Sequence, residues 1–185
     1  MDRDLETVTG WLLNAAARVP REYFHLPVAG QEGPAYRERV YTYELYHQWR
    51  CQWQRDFPYS VGAEVDKAGH PVIRRGDKPD FIVHVPGENQ NLLVVEVKPA
   101  NASRRKIMKD LRTLTRFRRS LAPEQNYFAA YFWIYGVSQD EWVGLASQLR
   151  ELARDDHEIA LNAIVPVVHE AAALPAVRVA WNTAA

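Results

Sequence analysis

Apolar residues along the chain keep first a helical rhythm, then a strand rhythm, then a helical one again. Leu5, Val8, Leu12 and Leu13, with Trp11 beside them, recur at helical spacing and predict an amphipathic helix over residues 4–18. A Pro- and Gly-containing linker, 19–34, is a candidate hinge leading to an aromatic-rich second helix over 36–53. Beyond it the period falls to two. Residues 59–66 read as a first strand, 67–70 as a turn and Pro71-Val72-Ile73 as a returning run. Phe81 to Val85 and Leu92 to Lys98 then flank a turn-rich connector, 86–91, as a hairpin would.

Helical spacing returns over 103–120, with Ile107, Leu111, Leu114 and Phe117 inward and Ser103 placed to cap. Residues 127–135, YFAAYFWIY, are almost continuously apolar, which suits a strand covered on both faces. The helix before them makes a β-α-β crossover, so this strand should run parallel to the one at 92–98. A further helix, capped by Ser138 or Asp140 and carrying Trp142, Val143, Leu145, Ala146, Leu149 and Leu152, extends to 155. Short strand-like runs at 159–168 and 177–181 close the chain. The predicted class is α/β: a central mixed sheet flanked by helices, in one domain.

Against this apolar background three charges stand out. Asp80 follows Pro79 at the start of one strand, and Glu96 and Lys98 sit near the end of the next. An ion on an apolar strand is costly to desolvate without a partner. Residues two apart share a strand face, so Glu96 and Lys98 point the same way. Any antiparallel register that pairs even numbers with even numbers adds Asp80 to that face. Phe81, Val83, Val85, Leu93, Val95 and Val97 then form the opposite, core face. Two carboxylates completed by waters suit Mg²⁺ or Mn²⁺, and the lysine can position water or stabilise charge on a phosphorane. The competing reading is a structural salt-bridge cluster in which Lys98 offsets the acids.

Pro79-Asp80 with Glu96-Val97-Lys98 resembles the PD-(D/E)xK nuclease superfamily, and the likeness extends in outline from about Tyr36 to Val137. The resemblance implies a restriction-endonuclease-like α-β-β-β-α-β core. It also implies Mg²⁺-dependent phosphodiester hydrolysis centred on Asp80, Glu96 and Lys98. Residues 36–185 would form the nuclease-like domain, with the helix and linker of 1–35 packed on it. Many superfamily members add a glutamate from the first helix. Glu44, amid apolar residues of the 36–53 helix, is the candidate, with Arg50 or a tyrosine hydroxyl as its alternative partner. Glu38, between Arg37 and Arg39, reads as solvent-exposed. Glu64, on the first predicted strand, is a further metal ligand or outer base; the alternative is an edge acid paired with Lys67 or Arg74. Noncatalytic relatives make a nucleic-acid-binding or protein-interaction module the rival function.

Composition and charge sharpen the picture. The 185 residues are 47% hydrophobic with a formal net charge of zero, enough for one good core and no general affinity for polyanions. The charge is unevenly placed, however. Between Lys98 and Arg119 nine basic residues face the single acid Asp110. Arg104, Arg105, Lys106, Lys109, Arg112 and Arg116 would offer cations to nucleic-acid phosphates beside the motif, with DNA ahead of RNA as partner. Cutting both strands at once needs two sites, which makes a homodimer plausible. Lone Cys51, read as buried and inert on its aromatic helix, allows no intramolecular disulfide and suits a reducing, cytoplasmic setting. No apolar stretch is long enough to cross a bilayer, so no membrane partner is expected. His25, His47, His70, His84, His157 and His169 show no zinc-binding spacing, and neither a glycine-rich phosphate loop nor a G-x-S-x-G elbow occurs.

Overall fold

The computed structural model describes residues 1–30, 32–63, 78–119 and 126–182. The period-two segments become a six-stranded mixed sheet in the order β1-β2-β3-β4-β5-β6. Its strands are β1 (Ser60–Ala63), β2 (Phe81–His84), β3 (Asn91–Pro99), β4 (Ala129–Tyr135), β5 (Val165–His169) and β6 (Val177–Arg178). The helical segments become α1 (Asp2–Ala16), α2 (Arg21–Phe24), α3 (Glu38–Arg50), α4 (Arg104–Arg118) and α5 (Gln139–Ala153). Glu64, the turn predicted at 67–70 and the returning run Pro71-Val72-Ile73 lie outside the described residues.

β1, β2 and β3 are antiparallel, while β4 runs parallel to β3, as the intervening helix requires. All nine residues of β3 are buried, because helices cover both faces of the sheet. Strand alternation divides the core in two. Phe81, Val83, Val95, Val97, Tyr131 and Trp133 pack with Val8, Leu12, Tyr41, Leu45 and Trp49 of α1 and α3. Ile82, Val94, Phe132 and Ile134 pack on the other side with Ile107, Leu111 and Leu114 of α4 and Trp142 and Leu149 of α5.

Helix ends follow their capping chemistry. Ser138 opens α5 with a capping box: its hydroxyl accepts from the Glu141 amide, and the Glu141 carboxylate accepts from the Ser138 amide. Ser103 occupies the N-cap position of α4 but makes no side-chain cap bond. Val143 and Leu152 of α5 are exposed, so its buried stripe is narrower than its apolar composition suggests.

The candidate hinge is packed down rather than free. Phe24 is buried edge-on against Tyr41, Tyr135 and His169, and Leu26 bridges Ala35. The two ends of the chain also meet. Arg178 of β6 forks onto Glu6 at 2.8 and 3.0 Å, the Ala176 amide donates to the Leu13 carbonyl at 3.3 Å, and Thr9 bonds the Tyr131 hydroxyl at 2.8 Å. Among the described residues no helix is long and apolar enough to cross a membrane.

Candidate functional site

The hairpin register decides how the motif residues meet. Phe81 pairs with Val95 and Ile82 with Val94, so one step further along the same ladder sets Asp80 opposite Glu96. The even-with-even register expected from parity is the one observed. Asp80 accepts a 2.7 Å hydrogen bond from the Val97 amide through Oδ2, which fixes its carboxylate against β3. The Asp80 and Glu96 carboxyls lie within hydrogen-bonding reach of one another. Lys98, two residues on, is 6% exposed and joins the same cluster. A register shift between Val83 and His84 takes His84 out of strict alternation with Asp80.

The lysine's partners are the unexpected part. Its Nζ donates to Glu38 Oε1 and to the Val97 carbonyl, each at 2.9 Å. It also makes a 2.9 Å ion pair with Asp110 Oδ2, with that oxygen off the line of a good hydrogen bond. Three acceptors thus face an ammonium with three protons. Glu38, expected in solvent, is the α3 glutamate that reaches the cluster. Glu44, expected there, is half-buried and instead accepts from the Gln48 amide at 2.7 Å, one helical turn on. The helical phase explains the exchange. Glu38 continues the buried stripe of Thr42, Leu45 and Trp49, whereas Glu44 sits on its flank beside Tyr43, which is 50% exposed. Asp110 lies on the inner stripe of α4, between Ile107 and Leu114, and its signal in the sequence was an acid placed at core spacing.

Electrostatics follow from four carboxyls, Asp80, Glu96, Asp110 and Glu38, gathered around one ammonium. Burial pushes the Asp80 carboxyl up to about 6 despite the opposing pull of Lys98 and the Val97 amide. Burial also holds Glu96 well above the ordinary carboxylate range, with Asp80 and Asp110 adding repulsion. Asp110 is raised by burial as well, although Lys98 works against the shift. Burial disfavours the Lys98 ammonium, but Asp110, Asp80 and Glu38 outweigh it and keep the lysine above its usual value. The cluster is short of positive charge.

No family model, curated protein or solved structure matches this chain. Its chemistry therefore has to be read from the residues themselves. Hard oxygen donors with a deficit of positive charge fit a divalent cation, and Asp80 and Glu96 are the adjacent pair that would hold it. Among the described residues no group of three or more His, Cys, Asp or Glu side chains is arranged as a metal ligand set.

Much of the basic helix is engaged within the protein. Arg112 forks onto Asp156 at 2.9 and 2.6 Å, Arg104 bonds Gln148 at 2.8 Å, and Arg116 bonds Thr113 at 3.1 Å. Arg105, Lys106 and Lys109 are exposed. Cys51, expected in the core, is exposed at the end of α3, with Sγ 3.8 Å from His47 Nε2. The helix stops there, so its aromatic stripe no longer covers the thiol.

Tyr135 is a further neighbour of the site that an apolar strand pattern conceals. Its hydroxyl is buried with no hydrogen-bond partner among the described residues. Burial raises its pKa, and the nearby charge of Glu38 adds to the shift. Its ring stacks on Tyr41 at 3.8 Å, and Tyr41 in turn accepts from Trp133 Nε1 and bonds His169 Nδ1.

Proposed function

We propose that this chain is a divalent-metal-dependent nuclease of the PD-(D/E)xK type, hydrolysing phosphodiester bonds, those of DNA ahead of RNA. The observation that carries the reading is the charge deficit around Lys98: buried and half-buried carboxyls from the β2–β3 hairpin and from two helices share one ammonium. The succession α3-β1-β2-β3-α4-β4 supports it, being the α-β-β-β-α-β order of a restriction-endonuclease-like core.

Asp80 and Glu96 would hold Mg²⁺ or Mn²⁺, which when bound polarises a phosphoryl oxygen and brings the pKa of water toward neutrality. The remaining work belongs to the chain's own groups. Lys98 supplies positive charge to the phosphate as it gains negative charge in the transition state. To do so it must release one internal acceptor. Glu38, with a side chain 35% exposed against 8% for Asp110, is the one an entering substrate can displace. Asp110 keeps Nζ in place meanwhile, and the Val97 amide keeps Asp80 aimed.

The saturation of Lys98 favours a second reading, a noncatalytic nucleic-acid-binding or protein-interaction module in which the lysine only offsets its acids. A divalent-metal screen on labelled single- and double-stranded DNA and RNA separates the two. The nuclease reading expects cutting with Mg²⁺ or Mn²⁺ and a loss of about 10²-fold or more in Lys98→Ala. Nucleic-acid binding with no hydrolysis under any divalent ion gives the second reading.

A further inference from the structure

A groove of about 410 Å³ opens beside the carboxylate cluster, between the start of α3 and the start of α4. Glu38, the residue that holds Lys98, forms one wall, so the groove begins where the chemistry ends. Away from Glu38 its polarity reverses. Arg37 and Lys106 line it, both are exposed, and no ion pair or hydrogen bond to another described residue engages either head group. Asn101 and Ser103 line it as well, and the Ser103 hydroxyl is not spent on capping α4. No acidic residue occupies the first turn of α4 to compete for these donors.

A second observation comes from behind the wall. Pro99, also lining the groove, lies opposite Tyr135 in the sheet register, and the Tyr36 ring, another lining residue, meets the Tyr135 ring edge-on at 5.4 Å. Tyr135 itself does not line the groove; its ring packs behind the Tyr36 wall, and its buried hydroxyl has no hydrogen-bond partner among the described residues. Buried hydroxyls in packed cores are normally bonded, so an orphaned one behind the groove wall calls for an explanation.

We propose that this groove seats a second phosphate of the substrate, the backbone phosphate next to the scissile one. Arg37 and Lys106 supply the charge, and Asn101 and Ser103 donate hydrogen bonds. The proposal rests on the nuclease reading for the neighbouring scissile position and narrows its substrate class. A diester with one phosphate leaves the groove unfilled, so the substrate is a polynucleotide. Acting on a backbone phosphate, these donors would fix position without selecting sequence.

The test uses the full chain with fluorescein-labelled 20-mers of DNA and of RNA. Binding is followed by anisotropy in EDTA across a salt series, and cleavage in Mg²⁺. Arg37→Ala and Lys106→Ala are each expected to weaken binding about fivefold to tenfold. Each should also lower the salt slope by about 0.7–1 and raise KM with kcat little changed, while Arg37→Lys restores most of the loss. Equal effects on DNA and RNA are expected of a phosphate contact, and an effect confined to RNA overturns it. Unchanged slope and KM in both variants of a wild type that cuts also overturn the groove, leaving the nuclease reading in place. Binding that depends on both residues without any cutting upholds the groove and removes the nuclease reading. A wild type that neither binds nor cuts overturns both.

Discussion

Asp80→Asn should make the metal-free protein more stable while ending its response to divalent ions. Asparagine keeps the side-chain shape and an oxygen able to accept from the Val97 amide, now at 2.7 Å, so the substitution removes little but charge. The folded carboxyl titrates at about 6 against an ordinary value of 3.8. At about 1.4 kcal/mol per pKa unit, ionising Asp80 costs the fold up to ~3 kcal/mol relative to the unfolded chain. Because the folded pKa is raised, this penalty is absent below pH 3.8, grows as pH rises, and is complete above about 6. At pH 7.5 in EDTA, Asp80→Asn should therefore melt roughly 4–10 °C higher than wild type, and at pH 3.5 the two should coincide. Adding about 10 mM Mg²⁺ should stabilise wild type by ~1.4 kcal/mol if its affinity is near 1 mM, and leave the variant unmoved. Differential scanning fluorimetry reads all of this. A variant that melts lower than wild type in EDTA at pH 7.5, together with a wild type indifferent to Mg²⁺ and Mn²⁺, would refute the charge-deficit argument. Lys98 would then be neutralising the acids unaided.

His169 should impose a pH dependence of the opposite sign. Burial holds its imidazole down to about 4, so protons taken up only by the unfolded chain withdraw stability as pH falls from about 6.5 toward 4. The difference between wild type and His169→Asn in urea-derived stability should change by about 2–3 kcal/mol across that window, and a flat difference rejects the assignment. Gly136→Ala should cost more than 2 kcal/mol: its φ is +79°, and an added Cβ would run into the Tyr36 ring and hydroxyl. Adding Tyr36→Ala should recover the steric part alone, leaving a strain of about 1 kcal/mol in chemical denaturation. Ser138→Ala removes half of the capping box on α5 and should lower stability by about 1 kcal/mol, or 2–4 °C in a thermal melt.

Where side-chain direction follows from period alone, the sequence predicted well. The hairpin parity placed Asp80, Glu96 and Lys98 together, and the crossover fixed β4 as parallel to β3. What sequence reading missed depended on rotation about a helix axis. Glu44 looked buried from its immediate neighbours, yet the stripe of Thr42, Leu45 and Trp49 continues backward to Glu38 instead. Asp110 is a lone acid in a basic segment by composition, although its spacing from Ile107 and Leu114 puts it on the inner face. Charge alone likewise makes the basic run look like one cationic surface. Asp156, which holds Arg112, and Gln148, which holds Arg104, lie more than 40 residues away along the chain, and no local pattern announces such contacts. Tyr135 was hidden because a hydroxyl leaves no mark on an apolar strand pattern.

The closure between the chain's two ends sets a schedule for folding. α1 precedes β6 in the chain, so the Leu13 carbonyl waits for the Ala176 amide, and Glu6 for Arg178. At translation rates of about 5–20 residues per second, roughly 8–30 s separate the synthesis of these partners. Throughout that interval the apolar face of α1 lacks part of its native cover, and the β6 edge that completes the sheet does not yet exist. The same contact that seals the finished protein thus leaves the nascent chain with an incompletely covered helix. A circular permutant that brings β6 ahead of α1 would shorten the exposure while keeping the Ala176–Leu13 and Arg178–Glu6 contacts.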